Sequence, residues 1–325
     1  MKYLGRRLLR AVLLLVGVSV LCFLFTEMAP GSFFDEMRLN PQISPETISV
    51  LRARYGLDQP LLVRYGRWME AVVHGDFGYS IAYNAPVAPL LWSRAQHTLL
   101  LTTTATLLTW LMAVPLGVWT AASRGRWLDK VVAIGSSLLI SVPEIVLAIA
   151  LLALAVRWRA VPVGGMMSLG FEELSAWGRF QDVLLRMLLP TSILVLASIA
   201  VVVRHIRASV LEVLDAPYIQ AARGHGIART RLLFRHVLPV AANPAISLFG
   251  FSVAALLSGS LLVEVVTGWP GLGPLILDAT LSRDLYLVIG GIMFSAVFMM
   301  AGNFIADLLL LATDPRIRAG GPDAN

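Results

Sequence analysis

The sequence predicts an all-α membrane protein with six transmembrane helices, both termini in the cytoplasm, and a sizeable extracytoplasmic loop after the first helix. Three observations carry that prediction. Of its 325 residues, 57% are hydrophobic and only 14% are charged, against about 45–50% and about 25% in a soluble domain. A soluble fold could not hide so much apolar surface. Six stretches, 8–28, 98–122, 131–156, 187–203, 242–266 and 286–312, approach the roughly 20 apolar residues that a helix needs to cross lipid. Finally, 15 of the 26 basic residues collect in the segments that six spans place on one side. That side is cytoplasmic under the positive-inside rule. The net charge of +6 therefore reports orientation, and no nucleic-acid footprint is needed to explain it.

The first span follows Arg6, Arg7 and Arg10, which a signal peptide would also show. No small-x-small cleavage site follows it, and Pro30 comes directly after Ala29, so it reads as an uncleaved anchor. The expected division is 1–28 for the N-terminal segment and first helix, 29–97 for the extracytoplasmic helical loop, 98–312 for the membrane core and 313–325 for a cytoplasmic tail. In the outer loop, Ser44-Pro45-Glu46 reads as an N-cap, an N1 proline and an acidic first turn, with Gly56 as the stop. A second helix starts near Pro60 and ends before Gly75. Its apolar residues Leu61, Leu62, Tyr65, Trp68, Met69, Val72 and Val73 recur at helical spacing. That face is expected to pack on the protein's own outer surface or to lie among headgroups. The fourth span is the shortest.

A catalytic reading finds no site. The chain has no Gly-x-Ser-x-Gly elbow, no His-Glu-x-x-His helix, and a single cysteine, Cys22. Its two lysines, Lys2 and Lys130, sit in no phosphate loop, so it carries no Walker-type ATPase of its own. Gly224-His225-Gly226 opens a dinucleotide pattern, but Arg229 fills the third glycine position and no βαβ unit surrounds it.

What stands out is the third cytoplasmic loop, 204–239. Pro217 can start a short helix, Gly224 and Gly226 break it, and a second helix runs to Pro239. Ala221 and Ala222 lack bulk, so another surface can approach the backbone. Too polar to cross lipid and too organised for a connector, this segment reads as a docking element facing the cytoplasm.

Here the sequence resembles the permease subunits of bacterial ABC importers, whose shared loop reads Glu-Ala-Ala-x3-Gly-x9-Ile-x-Leu-Pro. This chain gives Gln220-Ala221-Ala222, then Gly226, then His236-x-Leu238-Pro239 at that spacing. Gln220 and His236 depart from the pattern, as they commonly do in the peptide branch. Four further blocks place it with the oligopeptide/dipeptide/nickel family, B-type: Tyr55-Gly-Leu-Asp-Gln-Pro60 with Gly75-Asp-Phe-Gly78, Ser141-Val-Pro143, Trp269-Pro-Gly-Leu-Gly273 and Asp314-Pro-Arg-Ile-Arg318.

The resemblance implies a type I ABC importer permease fold in a bacterial inner membrane. It implies a second homologous permease sharing the translocation pathway, two cytoplasmic ABC ATPase subunits that bind ATP and Mg, and an extracytoplasmic binding protein that delivers short peptides. The chain itself would hold no cofactor or metal. The ATPase contact would fall on Tyr218, Gln220, Ala221, Ala222, Gly226, Arg229, Leu238 and Pro239. Nickel chelates, glutathione or another small solute are alternative cargoes for the same machinery. An ion-gradient-driven secondary transporter is the alternative of another class, and it would transport without any ATPase.

Four residues are candidates for the pathway or its gate. Glu144 follows Pro143 inside the third span, where an ionisable group costs about 2.5–3.5 kcal/mol and belongs toward a bundle interior or cavity. Glu264 closes the fifth span near the outer mouth, and Trp269 opens a turn of interfacial character. Asn303 lies four residues before Asp307, on one face of the sixth span.

Overall fold

The computed structural model describes residues 2–28, 33–38, 44–54, 56, 58–159 and 161–313. Tyr55, Leu57, the block Asp314–Arg318 and the tail beyond it lie outside the described residues. Thirteen helices are described: α1 Lys2–Met28, α2 Phe33–Arg38, α3 Pro45–Arg54, α4 Leu61–Val73, α5 Val87–Ala122, α6 Trp127–Ser141, α7 Glu144–Trp158, α8 Ala176–Leu214, α9 Pro217–Gly224, α10 Arg229–Leu232, α11 Leu238–Thr267, α12 Leu272–Leu281 and α13 Leu285–Thr313. A two-residue hairpin, Tyr79–Ser80 against Ala85–Pro86, interrupts the all-α pattern. Among the described residues, five segments are long and apolar enough to cross a membrane, and the bent pair α6–α7 makes a sixth if it counts as one span.

Several boundaries differ from the sequence reading. The third span is not one helix but two, meeting at 100° around Val142-Pro143. Proline disfavours helical backbone in the residue before it and removes an N–H. Val142 is accordingly extended, with φ −92° and ψ 120°. The fourth span is not the shortest: α8 runs 39 residues, through Pro190 and on to Leu214. Residues 204–214 of the expected cytoplasmic loop are therefore a continuation of that helix, and residues 87–97 of the outer loop belong to α5.

Two compact units form. The smaller comprises the chain up to Thr98 together with Pro270–Val297; the larger comprises Leu99–Trp269 together with residues from Phe298 onward. The division falls within α5 and within α13.

In the smaller unit, α4 is strapped to α1. Tyr65 and Ser19 share a hydroxyl hydrogen bond of 3.0 Å, Arg64 pairs with Glu27 at 2.9 Å, and Phe23 meets the Tyr65 ring edge-on. Trp68 is buried beside Phe23, and its indole N–H donates to the Phe77 carbonyl. The apolar face of α4 thus packs on the protein's own helices. Leu62 and Val73 are exceptions, 82% and 77% exposed on the opposite side. The N-cap expected at Ser44 forms, its hydroxyl accepting the Thr47 N–H at 3.2 Å.

The larger unit is built on α8. Its buried row from Met187 to Val210 packs with residues of α5, α7 and α11 into one core. At Gly117 of α5 an added Cβ would stand 2.8 Å from Ile206 Cβ and 3.0 Å from the Val203 carbonyl, so glycine is what lets α5 and α8 approach. This is the small-residue packing that helices use in lipid, where burial alone gives no driving force.

Candidate functional site

The segment expected to dock, residues 215–239, lies in the larger unit. Asp215 ends α8, Ala216 is extended, and Pro217 opens α9 at its first position, where its missing N–H costs nothing. One side of α9 faces the core, with Ile219 fully buried and Ala222 half-buried against the same cluster. The other side is open: Tyr218 is 54% exposed, and Gln220, Ala221 and Arg223 are exposed with it. The two alanines therefore differ in role. Ala221 leaves the outer surface low, whereas Ala222 turns inward, so bulk there would strain the core rather than block a partner.

Gly226 follows at φ +78°, a left-handed conformation that favours glycine and lets the chain reverse into α10. Arg229 is exposed at the start of α10 and donates to the Ala122 carbonyl at the end of α5. Beyond α10 the helix does not stop at Pro239 as the sequence suggested. Leu233–Val237 form a π-helical turn that runs directly into α11. Pro239 cannot donate, and its ring crowds the carbonyl four residues back. A widened turn just ahead of it accommodates both demands. Leu238 and Pro239 are thus the first residues of a membrane helix, and α10, the π turn and α11 form one continuous body, Arg229–Thr267.

Two acid–arginine pairs brace this end of the unit. Arg124 in the α5–α6 turn meets Asp215 at 2.8 Å. Arg207 of α8 holds Asp129 of α6 by two hydrogen bonds. Sequence reasoning missed both. For Asp129 the available signal was a lone acid among Arg124, Arg126 and Lys130; Asp215 shares its segment with Glu212 and had no comparable signal.

Of the gate candidates, Glu264 and Trp269 meet through their backbones, and Glu144 reaches α11 at Gly259. Glu144 is the first residue of α7, where a helix N-terminus favours a carboxylate. Its carboxylate lies over Gly259 of α11, at a spot any Cβ would fill. Glu264 is fully buried. Its carbonyl accepts the Trp269 N–H at 2.9 Å while Gly268, at φ +69°, donates to Val265, the paired bonds of a Schellman cap. Trp269 is buried in the same core. The Gly268 carbonyl also receives the Gly165 N–H, joining the α7–α8 loop to the end of α11. Asn303 is half-buried on α13, one residue after Gly302, where a Cβ would strike Val253 of α11. Among the described residues, no group of His, Cys, Asp and Glu could hold a metal ion.

Residues 113–319 match the family described as binding-protein-dependent transport system inner membrane component, and residues 1–103 match its N-terminal domain. The chain belongs to that family. It is an inner-membrane ABC importer permease subunit, a class that lacks ATPase sites of its own. It is 33% identical to the oligopeptide transport system permease protein AppB of Bacillus subtilis, over 97% of this chain and 98% of that one. It is 34% identical to the dipeptide transport system permease protein DppB of Escherichia coli, over 98% and 99%. The glutathione transport system permease protein GsiC of Escherichia coli is 33% identical over 98% and 99%. Among solved structures, the permease resembles an inward-facing MetNI methionine ABC transporter, with TM-score 0.52 and 17% identity over 69% of this chain and 96% of that one. An amino acid ABC transporter crystallised with histidines gives TM-score 0.53 and 19% identity over 69% and 94%. Those two likenesses are of fold.

Proposed function

We propose that this permease pairs with a second, homologous permease to form the pathway of an ATP-driven importer of short peptides. An extracytoplasmic binding protein delivers the peptide. Two cytoplasmic ATPase subunits, which bind ATP and Mg, supply the work. Glutathione or another small peptide-like solute fits the same machinery, since relatives of equal identity are named for oligopeptides, dipeptides and glutathione.

One observation carries the mechanical reading. The short helix α9 is anchored by Ile219 alone among its buried residues and presents Tyr218, Gln220 and Ala221 outward. It is followed by a turn at Gly226 and a helix that enters the membrane without a break. A surface gripping α9 would move α10 and α11 as one lever. In this reading Arg229 steadies the lever against α5, and Leu238 and Pro239 sit at its entry to the bilayer.

The chain has one cysteine, Cys22, which is buried, so Tyr218→Cys introduces a single exposed thiol. In the assembled transporter that thiol is expected to crosslink to an ATPase subunit. Ala221→Trp is expected to leave assembly intact and abolish substrate-stimulated ATP hydrolysis. Wild-type stimulation in Ala221→Trp would overturn the coupling assignment. Peptide uptake into proteoliposomes without ATP, driven by an ion gradient, would overturn the importer reading itself.

A further inference from the structure

We propose that the cavity where the ends of α5 and α8 meet α9 and α10 is a phosphate site, and that its occupant is the headgroup of an acidic phospholipid. The cavity measures about 290 Å³ and is lined by Arg124, Arg126, Arg223 and Arg229 against one acid, Asp215. Asp215 neutralises Arg124. Arg229 spends one N–H on the Ala122 carbonyl and keeps the rest of its five donors. Arg126 and Arg223 form no ion pair among the described residues. Three guanidinium groups thus converge on one hollow without a counter-ion. Their planar forks suit phosphate oxygens, taken two at a time.

The surroundings choose the source of the phosphate. Trp127, 72% exposed, directly follows Arg126, and Trp119 is exposed near the end of α5. Exposed indoles of this kind sit at headgroup depth. The floor of the hollow is aliphatic, from Leu211, Leu214, Leu232 and Leu233. Basic pockets between transmembrane helices at this depth are where acidic headgroups bind. One phosphate would bridge the α5–α6 turn, through Arg126, to α9 and α10, through Arg223 and Arg229. Acidic lipid would therefore hold the docking helix against the bundle. That consequence rests on the coupling reading above, whereas the binding does not.

The test uses the assembled transporter, without substrate or ATP, in nanodiscs of phosphatidylcholine with about 20% phosphatidylglycerol. Native mass spectrometry reads the phosphatidylglycerol retained after extraction. The double variant Arg126→Gln with Arg223→Gln is expected to retain about thirtyfold less. Arg231→Gln, an exposed arginine outside the cavity, is expected to retain the wild-type amount. The charge-keeping double variant Arg126→Lys with Arg223→Lys is expected to fall between, and it separates lost charge from lost folding. Equal retention in wild type and the glutamine variant overturns the site. Absence of retained lipid in the wild-type complex, with or without displaceable inorganic phosphate, overturns the lipid assignment, as it would if an ATPase side chain filled the hollow. Because retention is read without turnover, its outcome is independent of whether α9 couples to the ATPase.

Discussion

Arg207 grips Asp129 with two parallel hydrogen bonds, Nε to Oδ1 at 2.6 Å and Nη2 to Oδ2 at 2.9 Å. The pair ties α8 to the first turn of α6. The same carboxylate accepts the Gly125 N–H at 3.0 Å, so one acid also shapes the turn that leads out of α5.

Asp129→Asn keeps the shape of the side chain but leaves Arg207 without its counter-ion. A fully buried pair broken in this way costs about 3–5 kcal/mol. Arg207 is still about one-third exposed, at 31%, so a loss of about 2 kcal/mol is expected. Thermal unfolding of the purified transporter should shift down accordingly, with Arg207→Lys, which loses the fork, intermediate. An unchanged midpoint for Asp129→Asn would show that the pair contributes nothing.

Gly117 predicts a packing limit. A methyl group there would meet Ile206 and the Val203 carbonyl, and backbone cannot step aside as a side-chain tip can. Gly117→Ala is expected to cost about 1–3 kcal/mol, the usual range for overpacking. Ile206→Gly in the same chain should recover part of that loss, because it removes both the Cβ and the Cγ2 that the new methyl would meet and leaves only the Val203 carbonyl. Additive losses in the double variant, measured by unfolding midpoint, would rule out the close approach as the cause.

These relationships explain what the sequence could and could not disclose. Composition, apolar runs and the loop pattern at Gln220, Ala221, Ala222, Gly226 and Pro239 were enough for the class and for the presence of the short helix α9. Those signals are local, and local periodicity writes itself into the order of residues. The 100° bend was half legible: Pro143 marked the break but not its angle. The continuity through Pro239 was not legible at all, because it depends on a π turn that no single residue announces. Helical spacing puts Ile219 and Ala222 on one face of α9, but only the packing of Ile219 shows that this face meets the core and leaves Ala221 outside. Asp129 and Arg207 stand 78 positions apart, and only the crossing of α6 and α8 makes them partners.

Asp284 holds the hairpin Tyr79–Pro86 in the smaller unit. It is buried, accepts the Ser80 hydroxyl at 2.7 Å and the Ala82 N–H at 2.9 Å, and caps the Leu287 N–H at the start of α13. Asp284→Ala leaves three donors without an acceptor, and each buried one costs about 1–3 kcal/mol. Limited proteolysis is expected to cut between Tyr79 and Pro86 in that variant and to spare wild type. Resistance equal to wild type would mean that the hairpin is held by something else.

Glu144 and Gly259 offer the sharpest separation of transport from stability. A Cβ on residue 259 would fall 2.7 Å from Oε2 and 2.8 Å from Oε1 of Glu144. Those oxygens end a flexible side chain, so Gly259→Ala can be absorbed by swinging the carboxylate aside. The unfolding midpoint should then move little, within about 0.5 kcal/mol. If the Glu144 carboxylate lines the pathway, its displacement should matter even though the fold does not notice. Gly259→Ala and Glu144→Gln are each expected to lower peptide uptake, and the double variant should be no worse than Glu144→Gln alone, because both changes act on one group. Full uptake by Gly259→Ala beside a defective Glu144→Gln would show that the position of the carboxylate over α11 is not what transport requires. Full uptake by both would remove Glu144 from the pathway.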